Sequence, residues 1–135
     1  MGPAASISLS GAFAAGNRLG ISAQNVANAR SIGARPGVEG QLPYQPQAPA
    51  QQAVAGPDGQ GLGTRVVARP VTPPFLAEFQ PDSPSADAEG LVAAPNVDLA
   101  GERVEQLGSL RSYQANLAVL RAQGKMEREA MDILA

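Results

Sequence analysis

The 135-residue sequence contains no cysteine, no histidine and no tryptophan, and only three phenylalanines and two tyrosines. Without cysteine there is neither a disulfide framework nor a thiolate metal site, and without histidine the commonest remaining ligand for a transition metal is gone. The nucleophile and base pairs that rest on Cys or His cannot be assembled from these residues. Charge of one sign is lacking too: ten Lys and Arg stand against twelve Asp and Glu, a net charge of −2. The basic residues are dispersed, so no electrostatic footprint of a nucleic-acid binder is present. No run approaches the ~20 apolar residues that a membrane span requires. The stretch Met1-Gly2-Pro3-Ala4-Ala5-Ser6 lacks the basic start and compact apolar core of a cleavable signal. Large apolar side chains are scarce as well, because 25 of the 59 apolar residues are alanine. Burial stabilises in proportion to apolar area and alanine brings little of it, so the core is thin and help from partner chains is expected.

Eleven of the twelve prolines fall between Arg30 and Asn96. Their distribution divides one structural unit into an N-terminal helix over 1–30, a proline- and glycine-rich extended segment with short strands over 31–96, and a long C-terminal helix over 97–135. In the first helix, opened by Ser6 or Ser8, a 100° step places Leu9 and Phe13 on one apolar face flanked by Val26, and Ile7, Ala14 and Ile21 on a narrower stripe roughly opposite. Gly11, Gly16 and Gly20 each cost about 1 kcal/mol relative to alanine inside a helix, so packing has to rescue it. In the middle, Gly56-Pro57-Asp58-Gly59 signals a turn, and 64–71 and 75–79 are candidate strands of a small β element. The last helix, capped by Asn96 or Asp98, carries Val97, Val104, Met126 and Ile133 on one stripe. Leu110, Tyr113, Leu117 and Leu120 form another nearly opposite, and Leu107 joins the packing set. The expected fold is mainly α, with the N- and C-terminal helices paired as a coiled-coil-like helical hairpin around a proline-rich extended middle. Helices apolar on two sides in so small a chain point to packing between subunits as well as within one.

Particular residues add a resemblance. Asn25-Val26-Ala27-Asn28, preceded by Ser10-Gly11 and Arg18-Leu19, is similar to the helix-closing element of flagellar rod and hook axial proteins. A longer block resembles the flagellar basal-body rod protein family: Phe79-Gln80-Pro81, Ala86-Asp87, Gly90, Pro95-Asn96-Val97-Asp98, Glu102, Arg111-Ser112-Tyr113-Gln114-Ala115-Asn116 and Lys125-Met126. The segment Ser112 to Asn116 and the chain length favour its proximal-rod members, whereas Ala29 to Ala55 departs from the family, with only Pro43-Tyr44 in common. The resemblance implies a non-enzymatic subunit without cofactor or metal. Such a subunit self-assembles through its terminal helices, together with other rod proteins, into the drive shaft that carries torque across the periplasm. It also implies export through the flagellar type III apparatus without a cleaved signal, and a place in the basal body near the membrane-ring complex.

Two other readings use the same residues. An enzyme would have to rely on Asp82, Asp87 and Glu89, for which solvated turn residues are the simpler account. A coiled-coil adaptor or export chaperone would share the long two-sided helices but not the proline-rich middle. Asn25 and Asn28 are expected to bond backbone groups at the helix end. Arg111 is placed to pair with Glu105 or Glu127 of a neighbour, or to stand as a solvated charge.

Overall fold

The computed structural model describes residues 2–134. Helix α1 spans Pro3–Asn28 and helix α2 spans Leu99–Leu134. Between them lie β1 (Gln47–Ala55), β2 (Gly61–Pro70), β3 (Phe75–Phe79) and β4 (Leu91–Pro95). Pro3 opens α1 because its fixed φ suits the first helical position and its missing N–H would have had no partner there. The Gly2 carbonyl accepts Ala5 N at 3.1 Å. Ser6 does not cap the helix: its hydroxyl donates back to the Pro3 carbonyl at 2.8 Å. At the other end Asn28 Nδ2 donates to the Gln24 carbonyl at 2.9 Å, and Ser31 closes on the Asn28 carbonyl. Asp98 caps α2, its Oδ1 accepting Ala100 N at 3.0 Å and its carbonyl accepting Glu102 N.

The chain clusters into two compact units. The first comprises α1 as far as Gly20, residues 50–67 of the β1–β2 pair, and α2 from Glu105 onward. Its turn lies at Gly56 to Gly59, where Gly59 N donates to the Gly56 carbonyl at 3.0 Å. Thr64 N donates to the Ser10 hydroxyl at 3.1 Å, and Gly63, at φ +121°, passes so close that a Cβ there would run into that hydroxyl. Ala5, Ser8, Ala12, Ala14, Ala15 and Ser109 are buried.

The second unit comprises Ile21–Pro49 and Ala68–Val104. In it β3 and β4 pair antiparallel from Phe75↔Pro95 to Phe79↔Leu91, and Gly33 bridges the far side of Ala93 through bonds of 2.9 and 3.0 Å. The loop after β3 turns on Asp87, whose carboxylate accepts the amides of Glu89 and Leu91 and pairs with Arg35 at 2.7 Å. Val92 is the largest side chain that is fully buried, and no Leu, Ile, Phe or Met is fully buried among the described residues.

The expected mainly α chain with a coiled-coil-like helical hairpin is corrected on two counts. First, the middle folds as four strands in two sheets, β1–β2 and β3–β4. Within the proline-rich extended segment, Gln47–Ala55 is strand β1, outside the two candidate strands, and it tolerates Pro49 because a two-stranded sheet leaves each strand one free edge. Second, the buried positions of the two helices are small or polar, and α1 meets α2 through Gly11 beside Asn116, Arg18 on Glu105, and Ser22 and Asn25 on Glu102.

Candidate functional site

The buried row of α1 recurs at steps of three, four and seven residues: Ala5, Ser8, Ala12, Ala15, Ser22 and Asn25. In the first unit, a Cβ on Gly11 would press on the side chain of Asn116 at 2.6 to 2.9 Å, so glycine there permits close approach of α1 to α2. Arg18 clamps Glu105 with both ends of its guanidinium, Nε to Oε1 at 2.6 Å and Nη2 to Oε2 at 2.9 Å. The Ser109 hydroxyl donates to the same carboxylate at 3.1 Å. The hydrogen bond from Arg18, aided by that from Ser109 and opposed by burial, holds the Glu105 carboxyl below the usual carboxylate range.

The second unit carries a closed polar network around Asn25, which is 1% exposed. Its Nδ2 donates to the Gln47 carbonyl at 2.7 Å and to Glu102 Oε1 at 2.6 Å. Its Oδ1 accepts the Tyr44 hydroxyl at 3.0 Å and Gln47 N at 3.1 Å. Both donors and both acceptor sites of the amide are thus satisfied. Burial, with the charge of Glu102 second, pushes the Tyr44 phenol above its ordinary value. Ser22 donates to the Glu102 carbonyl at 3.1 Å, so two residues of α1 grip the first turn of α2.

Of the packing residues expected from sequence, Leu9, Ile21, Asn28, Asn96, Val97, Leu117 and Leu120 are partly covered, while Arg111 is exposed. Phe13 is 66% exposed, Val104 71% and Met126 61%, with Val26, Leu107, Leu110 and Tyr113 also open. Asn25 bonds across to β1, Tyr44 and α2 rather than to its own helix end. Asn96 Nδ2 donates to the Pro73 carbonyl at 2.8 Å. Glu105, considered as a partner for Arg111, is engaged by Arg18 of its own chain. Periodicity did not reveal Arg18, Ser22, Glu102, Glu105 or Ser109, because none is apolar, nor Tyr44, which lies outside both helices; the available signal was the row of small residues on α1.

The arrangement offers little for catalysis. A cavity of about 320 Å³ beside β3 is lined by Arg35, Pro36, Phe75, Leu76 and Ala93. Its ionisable group, Arg35, is bonded to Asp87. Asp87 itself lies below the ordinary carboxylate range, chiefly through the Leu91 amide and then Arg35. Among the described residues no three acidic side chains gather as a metal site would need, and no helix is long and apolar enough to cross a membrane. What the molecule presents is apolar helix surface.

The chain matches no protein-family model. It is 44% identical over 104 residues to the flagellar basal-body rod protein FlgC of Yersinia enterocolitica, covering 76% of this chain and 75% of that one. To the FlgC protein of Salmonella typhimurium it is 42% identical over 105 residues, with the same coverage. To that of Agrobacterium fabrum it is 33% identical over 135 residues, 97% of this chain and 93% of the other.

Proposed function

The chain belongs to the FlgC family of flagellar basal-body rod proteins, and from that premise we propose how this structural subunit of the rod does its work. It is a non-enzymatic building element of the proximal rod. The outward faces of α1 and α2 pack against other copies and other rod proteins, and torque passes along those packed helices across the periplasm. The subunit reaches its place through the flagellar type III export apparatus without a cleaved signal, and lies near the membrane-ring complex.

One observation carries this reading: the buried positions of both helices are small or polar, whereas most of their large apolar side chains are exposed and Leu9, Ile21, Leu117 and Leu120 are only partly covered. A self-sufficient domain of this size would do the reverse. Phe13, Leu110, Tyr113 and Met126, all in the first unit, are between 41% and 66% exposed. Each large side chain gains roughly 1.5 to 3 kcal/mol on full burial, so an interface covering several of them is strongly stabilised.

Leu110→Asp tests the reading. Leu110 is exposed in the single chain, so its replacement leaves thermal unfolding of the purified protein within about 0.5 kcal/mol of the parent. Cells carrying the variant should build no rod beyond the membrane rings and should not swim. Normal swimming would overturn the proposal.

A further inference from the structure

Charge is unevenly divided along the chain. Residues 70–102 contain six carboxylates and no cation, whereas residues 103–128 contain five cations and two carboxylates. By unit, the first holds six cations and five carboxylates and the second four and seven. On α2 the positions 107, 111, 114, 118, 121, 125 and 128 follow one another at steps of four and three and therefore form one ridge. All seven are exposed, four are Arg or Lys, and none is acidic.

Arg111 and Arg121 have no carboxylate within ion-pair distance among the described residues. Lys125 meets only Glu129 of its own helix, at 3.6 Å with both side chains mostly in solvent. Arg128 donates to the Gly124 carbonyl. The ridge ends at Glu129 and Asp132, which bound the positive stretch, and apolar Leu110 and Met126 border it.

The complementary surface is on the same chain. In the β3–β4 hairpin, Glu78, Asp82 and Glu89 are exposed and unpaired with any cation among the described residues, while Asp87 is taken by Arg35. Apolar side chains stand beside these acids too: Leu76 is 52% exposed and Phe79 69%. A basic ridge with apolar borders on one unit thus has its counterpart, acidic with apolar borders, on the other.

We propose that the acidic β3–β4 hairpin of one copy docks on the Arg111–Arg128 ridge of α2 of the next copy. The occupant is a second copy rather than a nucleic acid or an anionic membrane, because the net charge of −2 disfavours both and the complement is at hand in the chain itself. Donor and acceptor surfaces differ, so the contact is heterologous. A contact of that kind propagates from copy to copy instead of stopping at a closed pair, as a helical assembly requires. The proposal rests on the structural reading given above and names the neighbour for one of its faces.

The absence of native cysteine makes the test clean. Full-length Glu89→Cys and Arg121→Cys chains are expressed together in cells that build basal bodies, and disulfide dimers are scored after mild oxidation. Glu89→Cys should cross-link to Arg121→Cys about tenfold more than to Arg65→Cys, a strand position off the ridge. Reversing Arg111 and Lys125 to Glu in the Arg121→Cys chain should cut the yield by about tenfold, equivalent to two or three exposed ion pairs. Reversing Glu78 and Asp82 to Lys in the partner should restore it. Equal yield with Arg65→Cys, cross-linking of Arg121→Cys to a different rod protein, or failure of the paired reversal to restore the dimer would each overturn the proposal. If those results come with a Leu110→Asp variant that still cannot build a rod, the structural reading stands and only the named contact falls.

Discussion

Replacing Asn25 by Asp keeps the shape of the side chain and inverts half of its hydrogen-bonding role. The two bonds that Asn25 accepts, from the Tyr44 hydroxyl and Gln47 N, can persist. The two that it donates cannot, and a carboxylate oxygen then faces Glu102 Oε1 and the Gln47 carbonyl across gaps that are 2.6 and 2.7 Å in the parent. Each stranded buried partner costs about 1–3 kcal/mol. Two unit charges at about 3 Å repel by roughly 5 kcal/mol at an effective dielectric constant of about 20, enough for the pair to hold a proton rather than ionise fully. The folded variant therefore binds more protons than the unfolded chain above about pH 4. Its stability relative to the parent must fall as pH rises from there through the raised folded value. We expect a deficit of about 3–5 kcal/mol at pH 7.5, shrinking toward about 1–3 kcal/mol at pH 4.5, in urea unfolding followed by circular dichroism. Asn25→Ala, which strands all four partners without adding charge, should show a deficit of at least about 1–3 kcal/mol that is the same at both pH values. An Asn25→Asp variant as stable as the parent at pH 7.5, or equally impaired at both, would refute the assignment of Asn25 as a fully bonded lock.

Three further outcomes follow from particular contacts. Glu105 and Asp87 are held below the ordinary carboxylate range, so their contribution is present above about pH 4.5 and is lost as pH falls through their folded values. Urea midpoints should be flat between about pH 5 and 8 and drop below about pH 4, and Glu105→Gln should flatten that acid limb. Gly16→Ala should raise stability by about 1 kcal/mol, because nothing lies within 4 Å of a Cβ there. Gly11→Ala, which would press on Asn116, should give no comparable gain in the same melt. Gly90 sits at φ +77° with the Phe79 ring 2.9 Å from where a Cβ would be. Gly90→Ala should cost about 1–2 kcal/mol and lower amide protection along β3 and β4.

Element type at both ends was legible because proline is absent from the helix interiors and because apolar residues recur at helical spacing. The direction in which those helices face was not. Wheel positions mark Phe13, Leu110 and Tyr113 as apolar, and the usual rule places such residues inside. Here the inside is the row Ala5, Ser8, Ala12, Ala15, Ser22 and Asn25, whose small size permits close helix approach. That row keeps the helical repeat, at steps of three, four and seven, but has almost no hydrophobic amplitude, so apolar periodicity does not mark it. Strand β1, Gln47–Ala55, was hidden by its composition: glutamine, alanine and Pro49 carry no alternation of apolar and polar residues. Strand β4, Leu91–Pro95, is covered on both faces and is a short apolar run without period.

The placement of polar groups explains how so thin a core keeps a defined register. Ser22 and Asn25 meet Glu102, and Arg18 meets Glu105, one α2 turn further on. Hydrogen bonds have preferred directions and apolar contacts do not, so these three residues of α1 set which turns of α2 lie opposite it, where a row of alanines alone would let the helices slide. Polar contacts of this kind add little net stability, consistent with the lack of any fully buried Leu, Ile, Phe or Met among the described residues. The consequence is a separation of roles within each helix. Changes at Arg18, Ser22 or Asn25 should alter how the chain holds its own helices, whereas changes at Phe13, Leu110 or Met126 should leave the single chain intact and act only where another subunit covers them. Were the two sets to have the same effect on the isolated protein, the outward apolar residues would be part of its own core, and the proposed packing between subunits would lose its physical basis.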